Sequence, residues 1–206
     1  MIKELLTEIA ELDTVKHIKD KTIYVTHVCQ CLRKSFYELT MPIVDINDVF
    51  RKHLVIGSSI HLYIQKLLSN YCGELGYKCK IEVPIEFEYN GWKILGRADA
   101  VINDTVVEFK TTVKDVKIPN MLHLMQTNLY THVLGLNKYA VIYVTPNDLL
   151  EFNYTFNNEL LNMFMRRLNI LINALNNMDI PSAEEDVWCK NCLYRNMCMK
   201  SLDMFK

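Results

Sequence analysis

Asp99, Glu108 and Lys110 are the side chains whose types and spacing most directly suggest chemistry. They lie on two short apolar runs joined by Asn103-Asp104, a dipeptide suited to a two-residue hairpin turn. Such a hairpin pairs Ile102 with Thr105, Val101 with Val106, Ala100 with Val107 and Asp99 with Glu108. Two carboxylates then stand opposite each other on one sheet face, about 5 Å apart. Lys110 follows Glu108 by two residues and so shares that face. Like charges at this distance destabilise a sheet unless a cation lies between them. Two acids gripping a divalent metal beside an ammonium are equipped to hydrolyse a phosphodiester. A solvated hairpin with a chance charge pair would carry the same residues.

Four further positions extend the group. His61 comes four residues after Gly57 on one face of a long helical segment, either as a packing residue or as a nitrogen ligand that Mg²⁺ tolerates and Mn²⁺ favours. Gly96-Arg97 immediately precedes Ala98-Asp99, and a glycine inside a strand suits a close approach of another group to the backbone, here DNA. Arg97 shares the face of Asp99, as its ion-pair partner or as a phosphate contact. Gln126 and Tyr130 are four apart on a helix and project together toward the sheet, or form a polar pair on an exposed face. A second set is Cys189-x2-Cys192-x5-Cys198 with a distant Cys31, a spacing that can bring thiolates to zinc or to an iron–sulfur cluster. Trp188 and Tyr194 are placed to shield it. Cys29 competes with Cys31 as the fourth ligand, while Cys72 and Cys79 lack clustered spacing and read as buried free thiols.

Positioning these groups requires a mixed architecture. Ile2, Leu5, Leu6, Ile9 and Leu12 form a helical face, and Thr26 is a candidate N-cap for a helix holding Cys31, Arg33, Lys34, Phe36 and Tyr37. A longer helix spans Asp48 to Tyr71. The period then changes to two: Lys80 to Tyr89 alternates Ile81, Val83, Ile85 and Phe87, Asn90-Gly91 turns the chain, and Trp92 to Ile102 returns. Thr105 to Thr112 is a third strand. A helix over Asn120 to Leu134 ends near Gly135, strands follow at Tyr139–Thr145 and Leu150–Phe156, and Asn158 to Met178 is amphipathic. Pro181 ends that helix and opens a short tail with three cysteines. The order predicts an α/β class with a central mixed sheet flanked by helices.

Composition narrows the field. The chain has 206 residues, half of them apolar, enough for one domain of ordinary size, and a net charge of -1 gives no global basic field. No apolar run approaches the roughly 18 residues of a membrane span, and the N-terminus lacks a signal-peptide core. Seven cysteines, an odd number with four of them in two clusters, argue against a disulfide framework and for a reducing, cytoplasmic setting. No phosphate-binding loop ending in Gly-Lys-Ser or Gly-Lys-Thr is present, so no motor is encoded.

Taken in order, Cys31-Leu32-Arg33-Lys34, Gly57-x3-His61, Gly96-Arg97-Ala98-Asp99, Glu108-Phe109-Lys110, Gln126-x3-Tyr130 and Cys189, Cys192, Cys198 resemble the RecB-like nucleases of the PD-(D/E)xK superfamily. Within it the pattern is similar to the four-cysteine, CRISPR-associated iron–sulfur exonucleases and their stand-alone archaeal viral relatives. Leu32 stands where that family often has proline, and Cys29 is an additional thiol. The resemblance implies a restriction-endonuclease-like core at about 48–157, with 22–40 and 180–206 forming an iron–sulfur region of one nuclease domain, 1–206. It implies that His61, Asp99, Glu108 and the Phe109 carbonyl bind Mg²⁺ or Mn²⁺, that Lys110 positions or activates water, and that Gln126 and Tyr130 orient the substrate or the lysine. It further implies a structural [4Fe-4S] cluster on Cys31, Cys189, Cys192 and Cys198. The substrate would be DNA, mainly single-stranded, cut from its ends and in places internally; recombination, replication or spacer-acquisition proteins are compatible partners, as is a homo-oligomer. The competing expectations are a non-catalytic nucleic-acid-binding or assembly module and a redox protein, the latter leaving the Asp99, Glu108 and Lys110 pattern unexplained.

Overall fold

Two hairpin turns organise the sheet. Asn90 and Gly91 adopt φ of 50° and 75°, the left-handed pair that a tight two-residue turn requires, and Asn103 does the same at 54°. In the computed structural model, which describes residues 21–42, 52–184, 189–190 and 192–203, these turns join β2 (Cys79–Tyr89), β3 (Trp92–Ile102) and β4 (Thr105–Thr111) into an antiparallel meander. The helix α4 (Met121–Val133) crosses over to β5 (Lys138–Val144), which pairs parallel with β4 as such a crossover demands. β6 (Leu149–Thr155) adds antiparallel to β5, and α5 (Asn158–Asn177) follows. Upstream lie β1 (Thr22–Tyr24), α1 (Val25–Val28), α2 (Leu32–Thr40) and α3 (Lys52–Tyr71); α6 (Arg195–Asp203) closes the chain.

The sheet runs β1-β3-β4-β5-β6, with β2 on the other edge of β3. Its larger core gathers Ile94, Val106 and Val141 of the sheet, Met125 and Leu129 of α4, Phe164, Leu168 and Leu171 of α5, and Val25, Val28 and Phe36 of α1 and α2. A smaller core on the opposite face packs Ala100, Val107 and Phe109 against Ile64 and Leu68 of α3. The expected mixed, helix-flanked α/β sheet is therefore the fold.

One edge of β3 is forked. It pairs with β1 over Lys93–Leu95 and with β4 over Ala100–Ile102, so Gly96 to Asp99 have no strand partner on that side. The ladder stops at Ala100–Val107, which corrects the expected Asp99–Glu108 cross-strand pair. At this point Asp99 Oδ2 accepts the Phe109 N–H at 2.8 Å in place of a backbone bond. The side-chain alternation of β2 also reverses: Ile81 joins the smaller core while Val83, Ile85 and Phe87 join the larger, with Glu82 between them at a φ of 56°.

Other expectations are corrected here. Thr26 lies inside α1, which has Tyr24 as its N-cap, and Cys31 precedes α2 as its N-cap instead of sitting within a continuous helix. The break is held by Arg167 of α5, whose Nε donates to Val28 O at 2.9 Å and Nη2 to Gln30 O at 2.5 Å. α5 ends at Asn177, with Met178 in the left-handed conformation, before Pro181 is reached, and the tail contains a helix carrying Cys198. Cys72 and Cys79 form a disulfide rather than free thiols, since the short turn from α3 to β2 brings their Cα atoms to 6.2 Å. The expected helix at Ile2–Leu12, the start of the long helix at Asp48, and Trp188 lie outside the described residues.

Candidate active site

Glu108 sits in the middle of β4 between Val107 and Phe109, and all three are buried. Only 3% of Glu108 is exposed, so its carboxylate needs partners from the protein. Lys110, one period along the same strand, donates to Glu108 Oε1 at 2.7 Å. Gln126, from the first half of α4, donates through Nε2 to the same oxygen at 2.9 Å and to the Tyr130 hydroxyl at 3.0 Å, while its Oε1 accepts from Lys110 at 3.2 Å. Every polar atom of the Gln126 amide is thereby engaged, and the pair expected from the i, i+4 spacing is buried, not exposed.

Tyr130 seals the fork in the sheet. A Cβ built on Gly96 would meet its ring at 2.8 Å, and the Arg97 backbone hydrogen-bonds to its hydroxyl. The close approach that Gly96 permits is therefore that of Tyr130, where the sequence suggested DNA. Gly96→Ala must push this ring or Val25, 3.0 Å away on the other side. We expect a loss of about 1–3 kcal/mol by overpacking, with reduced activity as Gln126 shifts, measured by thermal melting and enzyme assay.

Across the fork, Asp99 carries the Phe109 N–H and lies 3.5 Å from His61 Nδ1 of α3. That hydrogen-bonding contact raises the pKa of His61 against the opposing effect of burial. Burial raises the pKa of Glu108; the Lys110 charge opposes this and the Asp99 charge adds to it. For Lys110, burial alone would depress the ammonium, but the charge and hydrogen bond of Glu108 prevail and its pKa is raised. His61, Asp99, Glu108, Lys110, Gln126 and Tyr130 thus form one connected neighbourhood. Arg97 departs from it: its Nη1 pairs with Glu82 at 2.5 Å, not with Asp99.

Glu108 Oε2 is buried with no hydrogen-bond partner. An unmet buried carboxylate oxygen costs on the order of 1–3 kcal/mol, and a cation would satisfy it. Among the described residues no three His, Cys, Asp or Glu side chains converge on a common point, because Asp99 is held by Phe109 and Glu108 by Lys110 and Gln126. The orphaned oxygen and the carboxylate–imidazole chemistry of His61, Asp99 and Glu108 nonetheless fit a hard divalent ion.

The cysteines separate by location. Cys192 has Cys31, Cys189 and Lys34 as electrostatic neighbours, and burial raises its thiol pKa. Arg33 reaches Cys198 Sγ at 3.7 Å and donates to Pro181 O at 2.7 Å, and Tyr37 stacks on Tyr194 with ring centroids 5.5 Å apart. The start of α2 and the C-terminal segment therefore lie together; their four thiols are of a chemistry suited to an iron–sulfur group, although among the described residues no three of them converge on a common point. Cys29 faces elsewhere: its charged neighbours are Lys110, Arg167 and Glu108, and burial pushes its thiol up to about 12.

Sequence reading missed two residues of this region. His123 on α4 contacts Tyr143 Oη at 2.8 Å, and burial pushes its pKa down to about 4. Glu82 holds the position opposite Asp99 that the register of the Asn90-Gly91 hairpin implied, although the ladder skips that pair and its carboxylate meets Arg97 and Gln65.

A sequence model of the PD-(D/E)XK nuclease superfamily matches residues 58–199. The CRISPR-associated exonuclease Cas4 of Saccharolobus solfataricus is 29% identical over 211 residues, covering 98% of this chain and all of the relative. The crystal structure of SSO0001 aligns with a TM-score of 0.74 at 28% identity, covering 96% of each chain. The alkaline exonuclease LHK-Exo from Laribacter hongkongensis shares the fold at a TM-score of 0.58 and 8% identity, over 82% of this chain and 94% of its own. No described helix is long and apolar enough to cross a membrane. Matched over more than half its length, with the buried acid–lysine pair of β4 in that span, the chain belongs to the PD-(D/E)XK nuclease superfamily.

Proposed function

We propose that this nuclease is a divalent-metal-dependent deoxyribonuclease that degrades mainly single-stranded DNA from its ends and also cuts internally. The observation that carries the reading is the buried Glu108, tied to Lys110 and Gln126 through one oxygen and unpartnered at the other. The exonuclease named among its full-length relatives supports the same direction.

In this reading His61, Asp99, Glu108 and the Phe109 carbonyl hold Mg²⁺ or Mn²⁺. Such an ion, when bound, lowers the pKa of water and offsets charge developing at phosphorus. The chain's own groups do the rest. Lys110 presents its ammonium to the attacking water and to the phosphate oxygens, in an orientation set by Glu108 and Gln126. Tyr130 holds Gln126 in place, and Arg97, on the rim, contacts a neighbouring phosphate. Cys31, Cys189, Cys192 and Cys198 hold a [4Fe-4S] cluster whose role is structural. The chain works as one domain in the cytoplasm.

End-labelled linear, end-blocked linear and circular single-stranded DNA, each incubated with Mn²⁺, test this directly. Linear DNA is expected to be shortened fastest, circular DNA to be opened slowly, and excess EDTA to stop both. Cutting that continues undiminished in EDTA would sink the metal-dependent reading.

A further inference from the structure

Glu82 adopts a φ of 56° in the interior of β2, a left-handed conformation that a side chain of this kind rarely takes inside a strand. The ladder between β2 and β3 passes from Ile81–Ala100 to Val83–Ala98, skipping Glu82 and Asp99, and the residues before and after Glu82 face different cores. Strain of this sort persists only where surrounding structure enforces it, and it concentrates at functional sites. Here the enforcement is visible. Gln65 of α3, one helical turn beyond His61, donates to Glu82 Oε1, and Glu82 Oε2 takes the Nη1 of Arg97 at 2.5 Å. Arg97 is two residues from Asp99, and 66% of its side chain is exposed. A guanidinium has five N–H donors in a planar fork, so an arginine held through Nη1 keeps donors free for a second oxyanion.

We infer that Glu82, braced by Gln65, is a positioning residue that aims Arg97 at a DNA phosphate beside the cleavage centre. This rests on the nuclease reading above and deepens it by assigning a backbone-gripping device on the rim. The reversal of β2 at Glu82 turns a carboxylate toward Arg97 and α3 at once, which a regular strand would not do.

The test uses the full-length, metal-replete enzyme, with steady-state cleavage of single-stranded DNA at several salt concentrations. Glycine accepts a left-handed φ freely, so Glu82→Gly keeps the backbone path while removing the carboxylate. Expected results are a wild-type melting temperature for Glu82→Gly, a KM for DNA raised about tenfold in both Glu82→Gly and Arg97→Ala, and a kcat within about twofold. The slope of log KM against log salt should be shallower by about 0.7 in each, one phosphate contact on a single strand. The double variant should match Arg97→Ala alone, because Glu82 acts only through that residue. Glu82→Gln should behave like Glu82→Gly in KM, ruling out a backbone effect. Additive losses, a fall in kcat at constant KM, or tighter DNA binding by Glu82→Gly would each overturn the assignment. Absence of DNA cleavage by the wild type would instead overturn the nuclease reading beneath it.

Discussion

Lys110→Ala is expected to lower kcat for DNA cleavage by about 10²–10³-fold, the loss typical when one preorganised charge-stabilising donor is removed. Lys110 lies where its ammonium meets both Glu108 and Gln126, so alanine removes the donor and leaves the buried acid with the Gln126 amide alone. Glu108→Ala should cost a similar factor, and the double variant little more, because residues that act as a unit lose their joint contribution once. Substrate binding rests on other contacts, so KM should move far less than kcat. Stability adds a second readout. In Lys110→Ala the cation that opposes the burial shift of Glu108 is gone, so the folded-state pKa of that acid rises further above its unfolded value. An acid raised in this sense stabilises fully below its unfolded pKa, and that stability is lost as pH rises through the folded one. Relative to wild type, the variant should therefore melt progressively lower as pH rises above the already raised folded-state pKa of the wild-type Glu108, with no difference from this group below it. A melting difference that does not change with pH, or cleavage persisting in either single variant, would refute the assigned pairing.

Cys198→Ala is expected to have the largest effect on stability. A cluster bridging Cys31 to the C-terminal cysteines, as proposed, would close a loop of more than 150 residues. For a cross-link spanning about 100 residues the loop-entropy estimate is about 4.7 kcal/mol, and metal binding that accompanies folding acts in the same direction. At about 2–4 °C per kcal/mol for a chain of this size, the melting temperature should fall by roughly 10–20 °C. Iron content and the broad visible absorbance of the purified protein should drop together with it. The interlocking protein contacts, from Arg33 to Pro181 and from Tyr37 to Tyr194, would keep part of the packing in place, so the protein should be loosened and not unfolded. A variant with wild-type melting and unchanged iron would show that Cys198 holds no cluster.

Local chemistry was the legible part of this protein. Period-two alternation and the Asn-Gly and Asn-Asp turns located β2, β3 and β4 to within a residue, because those signals depend on neighbours only a few positions away. Lys110 on the face of Glu108, and Gln126 one turn from Tyr130, followed from strand and helix periods and are borne out by their hydrogen bonds. What the sequence could not decide was where a ladder stops. Asp99 and Glu108 are only one step beyond the last pair of the hairpin, yet β1 docks parallel on the same edge of β3 and Tyr130 wedges against Gly96, so the strands part and Asp99 takes a backbone N–H instead of a partner strand. The same holds for the break before Cys31, imposed by Arg167 from a helix more than 130 residues away, and for the bond between Cys72 and Cys79, which depends on a turn geometry that spacing does not encode. Residue types and periods determined the chemistry on offer and the elements that carry it. Which of those groups meet, and which arginine, glutamate or thiol stands beside them, was decided by long-range packing, where burial and steric fit outweigh local preference.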